Sequence, residues 1–194
     1  MTKNNQDNLT RKINRLENAE RKNNFPAEDV LKLISIKRAD NILDLGAGTG
    51  YLTLPAAKQT DGVVYALDLD GDILNYLDSK AQLEKLTNVK TLEASFAHIP
   101  LEDNTTEIAL ASISLHEVNP LSDALKEINR VMTKNGTFLC VEFEKKEASS
   151  GPRVHSSVME QELRNAGFDI IEKIFPAIKV ANEDLYMIIA QKQG

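Results

Sequence analysis

One stretch constrains the fold of this chain more than any other: Asn41-Ile42-Leu43-Asp44-Leu45-Gly46-Ala47-Gly48-Thr49-Gly50, an apolar run that ends in an acid and opens into alternating glycines. A strand that breaks into Gly-x-Gly-x-Gly before a helical pattern brings bare backbone close to a ligand, because only glycine offers the turn without a side chain in the way. The acid at Asp44, two residues before the first glycine, already argues against phosphate as that ligand.

From this point the chain alternates short apolar strands with helical segments. Strands are expected near 41–45, 63–68, 89–93, 107–112, 136–143, 168–175 and 184–192, and helices near 51–59, 71–85, 121–132 and 156–166. Continuous apolar runs such as Val63-Val64-Tyr65-Ala66-Leu67 and Ile108-Ala109-Leu110-Ala111 suit parallel strands covered on both faces. The alternation predicts a doubly wound, Rossmann-like α/β domain with a seven-stranded sheet and helices on both faces. The last two strands are joined by too few residues for a crossover helix, so the final one should run antiparallel. Ahead of the domain, residues 1–8 are polar enough to fray. Leu9, Ile13 and Leu16 recur at helical spacing, so residues 1–24 form a helical extension or lid, and Pro26 opens a further helix. Residues 25–194 form the main domain.

The net charge of −6 offers no footprint for a nucleic acid, and no run of about 18 apolar residues is present to span a membrane. The single Cys140 excludes a disulfide within the chain and reads as a buried strand thiol. The three scattered histidines do not suggest a metal site. A cytoplasmic monomer or homodimer is the expectation.

Three ligand classes compete for the glycine turn. A P-loop needs a lysine directly after its last glycine, and none occurs before Lys58. A dinucleotide fingerprint needs a third glycine where Tyr51 stands, and Asp44 would repel a pyrophosphate. A cationic nucleoside such as S-adenosylmethionine carries no phosphate and tolerates the acid. It also needs a carboxylate after the next strand to bind a ribose diol, and Asp68 lies eighteen residues beyond Gly50. Asp70 and Asp72, by contrast, suit the start of the helix that follows.

With these residues in place, the chain resembles the class I S-adenosylmethionine-dependent methyltransferases, most closely the small-molecule group related to quinone biosynthesis. The resemblance rests on Asp44–Gly50 with Asp68, on Leu92–Pro100, on Leu115-His116-Glu117-Val118 and on Glu127–Gly136, and covers about residues 24–192. It implies that Gly46, Ala47, Gly48 and Gly50 line the methionine part of the cofactor and that Asp44 holds its amino group. By the same resemblance Asp68 holds the ribose, Leu69 packs on the adenine, and Ser112 closes the pocket. Ser95 stands where the family usually has an aspartate for the adenine amino group; serine still accepts a hydrogen bond, but without charge, and Phe96 shares that contact.

Methyl transfer from a sulfonium is an in-line displacement, so alignment supplies much of the rate and a dedicated base is optional. His116 and Glu117, directly after the fourth strand, are the candidate bases. Tyr51, Arg21 and His155 are candidates for contact with the methyl acceptor, whereas His98 reads as a surface residue. Two functions stay open on the sequence: an active methyltransferase for a small molecule, and a protein of the same fold that binds cofactor or partner without catalysis.

Overall fold

The structure is a computed structural model that describes residues 3–147, 149 and 151–194, with the side chains of residues 3–5 and 20–22 left outside the description. Its elements run α1 (Lys3–Leu16), α2 (Ala19–Asn24), α3 (Ala27–Leu31), β1 (Ile42–Leu45), α4 (Thr53–Ala57), β2 (Val64–Asp68), α5 (Gly71–Leu83), β3 (Val89–Glu93) and β4 (Thr106–Ser112). A single 3-10 turn, Leu115–Glu117, leads into α6 (Leu121–Val131), β5 (Met132–Phe143), α7 (Ser156–Asn165), β6 (Phe168–Ile174), β7 (Lys179–Val180) and β8 (Glu183–Lys192).

Seven strands lie side by side in the order β3-β2-β1-β4-β5-β8-β6, and the two-residue β7 pairs with β8 off that path. β1 is parallel to β2 and to β4. β8 runs antiparallel to both β5 and β6, so the expected reversal occurs inside the sheet rather than at its edge. Every residue of β1 is buried. Along β4 and β5 the alternation has period two: Ala109, Ala111, Phe138 and Cys140 pack with α6 and α7, while Ile108, Leu110, Leu139 and Val141 pack on the opposite face with Phe25, Val30, Leu31 and Ala56. Both faces are therefore dry, which accounts for the unbroken apolar runs in the sequence. Cys140 is fully buried among them.

The N-terminal region differs from expectation. Residues 3–8 are not frayed but form the first turns of α1, and the helical pattern breaks after Leu16 before resuming as α2. Further along, Lys12 Nζ of α1 meets Asp70 Oδ2 at 2.7 Å, and Glu17, just beyond the end of α1, accepts from Lys80 Nζ at 2.7 Å. These contacts tie a polar helix to α5 that its own composition would leave loose. Pro26 occupies the position before α3, as its fixed φ favours. Among the described residues no helix is long and apolar enough to cross a membrane.

Strand order reverses at β1, whose neighbours β2 and β4 belong to opposite halves of the sheet. In open α/β sheets ligands settle beyond the carboxyl ends of strands at such a point. The glycine loop follows β1 there.

Candidate functional site

The glycine loop is shaped by its backbone. Gly46 has φ +72°, and a Cβ added to it would lie 2.5 Å from Ser114 Cβ, so the loop passes the segment after β4 at a distance only glycine allows. Gly48 has φ +53°, and its missing Cβ faces Leu16 of α1 at 3.5 Å. The loop is held open by Asp68 at the end of β2: its Oδ2 accepts from Gly48 N and its Oδ1 from Asp70 N, each at 3.0 Å. A carboxylate has about four lone-pair positions, so two bonds leave capacity for a diol.

Two adjoining cavities lie over this loop. The larger, of about 590 Å³, is bounded by Gly46 and Gly48, by Asp68 and Leu69, by Ser95 and Phe96, and by Glu117 and Val118, with Lys12, Arg15 and Leu16 of α1 across the top. Leu69 is 71% exposed, an aliphatic surface left uncovered by the protein. The smaller, of about 60 Å³, is lined by Asp44, Gly46, Ala47, Gly48, Tyr51 and Ser112 among others. Leu16 and Ile113 border both. Ile113 has φ +58°, an uncommon conformation for a β-branched residue, and sites where backbone strain is held in place are often functional.

Asp44 is only 2% exposed and accepts from Thr53 Oγ1 at 2.5 Å, so α4 anchors the acid beneath the loop. Asp70 caps α5, accepting from Asp72 N and Ile73 N. Burial raises its carboxyl, but the Lys12 hydrogen bond and these amides outweigh that and leave it below the usual range.

The candidates named from sequence thus converge, with exceptions. Asp44, Gly46, Ala47, Gly48, Asp68, Leu69, Ser95, Phe96 and Ser112 surround the paired cavities. Gly50 instead faces the helices: at φ +90° its Cβ would meet Leu54 Cγ at 2.9 Å. Tyr51 stacks on Phe25 with centroids 6.4 Å apart and donates its hydroxyl to Phe25 O, which fixes its ring beside the smaller cavity. His155 lies elsewhere, at the start of α7, where its Nδ1 accepts from Ser157 N and its Nε2 stands 3.5 Å from Glu144 Oε1. The side chain of Arg21 is outside the described residues.

Glu117 lines the larger cavity with its side chain 74% exposed. Its neighbour His116 is 8% exposed, and its Nδ1 lies 2.8 Å from Oε2 of Glu142 on β5. Glu142 is itself 1% exposed, and its other oxygen accepts from Leu115 N at 2.7 Å and His116 N at 3.3 Å. Sequence reading missed Glu142, although one acid inside Phe138-Leu139-Cys140-Val141-Glu142-Phe143 was a visible anomaly. It missed Thr53, Lys12 and Arg15 too, whose types are ordinary at helix positions. Among the described residues no group of three or more His, Cys, Asp or Glu side chains is placed to hold a metal ion.

A profile of the methyltransferase domain matches residues 43–140. The chain is 30% identical over 117 residues to a demethylmenaquinone methyltransferase from Geobacillus sp. (strain WCH70), covering 59% of this chain and 50% of that protein. It is 27% identical over 157 residues to the ubiquinone/menaquinone biosynthesis C-methyltransferase UbiE from Rickettsia prowazekii, covering 78% of this chain and 60% of that protein. The chain spans about half the length of the first of these curated relatives. In three dimensions it is similar to the crystal structure of a SAM-dependent methyltransferase from Aquifex aeolicus, with a TM-score of 0.80, 26% identity and coverage of 93% of this chain and 96% of that one.

Proposed function

Because the chain belongs to the methyltransferase-domain family, we propose that it transfers a methyl group from S-adenosylmethionine to a small-molecule acceptor. The observation that carries this reading is the glycine loop bonded to Asp68 beneath a cavity of about 590 Å³, a size within the range of small-ligand pockets. The residues fit the cofactor. Asp68 offers acceptors to a ribose, Leu69 and Phe96 offer apolar faces to a base, and buried Asp44 puts negative charge below the smaller cavity, where an ammonium group is favoured. Ser95 would accept from the adenine amino group, and Gly46, Ala47, Gly48 and Ser112 would border the methionine part.

When bound, the cofactor supplies an electrophilic methyl group on a sulfonium. The protein's share is orientation and exclusion of water. Leu16 and Ile113 narrow the space above the loop, and Tyr51, pinned by Phe25, borders the same end. Residues 1–24 act as a lid in this reading, with Lys12 and Leu16 closing over the nucleoside. His116 and Glu117 are the candidate bases on the acceptor side. The names of the relatives support a ring of quinone type as acceptor. The acidic balance supports a protein that leaves nucleic acid alone.

Titration calorimetry with S-adenosylmethionine and with its demethylated product, S-adenosylhomocysteine, tests the reading. Both should bind, and Asp68→Ala should weaken each by about tenfold or more through the lost charge-assisted bonds. Absence of binding at millimolar concentration would overturn it.

A further inference from the structure

The glycine loop is held from two sides. Thr49 and Tyr51 border both the smaller cavity over the loop and a further one of about 240 Å³, which opens between the end of α1, α3, α4 and α5. Lys80 of α5 lines that further cavity and reaches the loop through it. Its ammonium donates to Thr49 O at 2.9 Å and to Glu17 Oε1 at 2.7 Å, and it stands 5.7 Å from the centre of the Tyr76 ring. With three donors to place, two fixed acceptors and a ring face leave the ammonium little freedom. The pair is well covered, Lys80 being 24% and Glu17 21% exposed. From the side of the large cavity, Asp68 accepts from Gly48 N. Neighbouring residues of one turn are thus fixed at an N–H by an acid and at a carbonyl by a cation. The end of α1 takes part on both sides. Leu16 lies 3.5 Å from where a Cβ on Gly48 would be, and Glu17, the next residue, steadies Lys80. Neither Glu17 nor Lys80 borders the two cavities over the loop.

We infer that Lys80 is a positioning residue that couples the seating of α1 to the shape of the glycine loop, so that cofactor affinity depends on Glu17 and Lys80 although neither touches the cofactor. For that consequence the inference rests on the methyltransferase reading. With α1 seated, Glu17 holds the ammonium against Thr49 O, and the loop keeps the turn that turns Gly46 and Gly48 to the cavity. When α1 lifts, Leu16 leaves one side of the loop and Glu17 abandons Lys80 on the other. Two further acids line the same cavity, Glu28 and Glu84, the second already paired with Lys58 at 2.6 Å. They compete for an ammonium on a flexible stem and draw it from the carbonyl. Opening of α1 therefore slackens the cofactor's seat as well as uncovering it. By reciprocity, a cofactor that fixes the loop favours the seated helix.

Two measurements separate the coupling from its consequence. Amide hydrogen exchange by NMR on the ligand-free full chain reads the loop itself, where Gly48 N is bonded to Asp68 Oδ2 and Gly50 N to Ala47 O. Glu17→Gln should speed exchange at both amides by about threefold and Lys80→Met by about tenfold. Lys58→Met, which removes the Lys58–Glu84 pair from the same cavity without touching the loop, should leave both amides unchanged. Calorimetry with S-adenosylhomocysteine should show the dissociation constant raised by similar factors in the first two variants. The double variant should bind no more weakly than Lys80→Met alone, because one contact cannot be lost twice. Lys80→Arg, which can still bridge the carboxylate and the carbonyl, should recover part of the affinity. If Lys80→Met does not fold, Glu17→Gln, altered outside the sheet, carries the test. Unchanged loop exchange in Glu17→Gln would overturn the inference, as would an equal effect of Lys58→Met or losses that simply add in the double variant. Faster exchange in a protein that binds no S-adenosylhomocysteine would strike the cofactor reading and leave the coupling in place.

Discussion

At the scale of single residues, the site depends on the difference between having a Cβ and not having one. Gly46→Ala puts a methyl group against Ser114 at a φ of +72°. The conformational strain alone costs about 1–3 kcal/mol, and relief of the contact must move the loop or the segment after β4. Gly46→Ala is expected to lower the denaturation midpoint and to abolish measurable binding of S-adenosylhomocysteine by calorimetry. Gly50→Ala makes a useful contrast: it strains the packing with Leu54 but faces neither cofactor-side cavity, so stability should fall by a similar amount with a smaller loss of affinity. The glycines and Asp68 were legible in sequence because their spacing along the chain encodes their geometry. Glu142 was not, since its partnership with His116 exists only once β4 and β5 pair.

At the scale of elements, α1 stands apart. It reaches the domain through the Lys12–Asp70 pair, through the Glu17–Lys80 pair just beyond its end, and through Leu16 on the glycine loop. Partly exposed ion pairs of this kind contribute about 0–1 kcal/mol each, so the helix is held lightly. Opening of α1 should therefore cost far less than global unfolding. Limited trypsin digestion at Arg11, Lys12 and Arg15 is expected to outpace cleavage elsewhere in the domain and to slow when S-adenosylhomocysteine is added. Equal protection with and without the ligand would remove the lid role. Sequence periodicity found this helix but not its start. Polar residues 3–8 carry little helical signal of their own, and α1 is stabilised by contacts with α5 that sequence does not display.

For the molecule as a whole, stability at low pH depends on carboxylates spread across the fold. The Arg130 guanidinium holds Glu127 below the usual carboxylate range, helped by the Ile99 amide and opposed by burial. Arg153 does the same for Glu183 at the start of β8. Both groups bind a proton less readily folded than unfolded, so their contribution is complete above the ordinary glutamate value of 4.5 and is lost as pH falls through the lower native values. Thermal melts followed by circular dichroism should be nearly flat from about pH 8 to 5 and then shift steeply downward. Glu127→Gln should flatten part of that acid limb; an unchanged limb would mean the Arg130 pair does not matter to folding. The doubly wound sheet was readable from alternating strands and helices, and its antiparallel finish from the short link before β8. The two-residue β7 and the insertion of β8 between β5 and β6 were not, because pairing order is decided by packing across the sheet.

That insertion also sets a timetable for synthesis. A chain growing from its N-terminus can assemble β3, β2, β1, β4 and β5 into a continuous sheet as each is made. β6 cannot join, for among the described residues its one neighbour in the sheet is β8, which is made after it. While it waits, β6 presents a free edge carrying Ile171, followed by Phe175, the kind of surface that chaperones of nascent chains recognise.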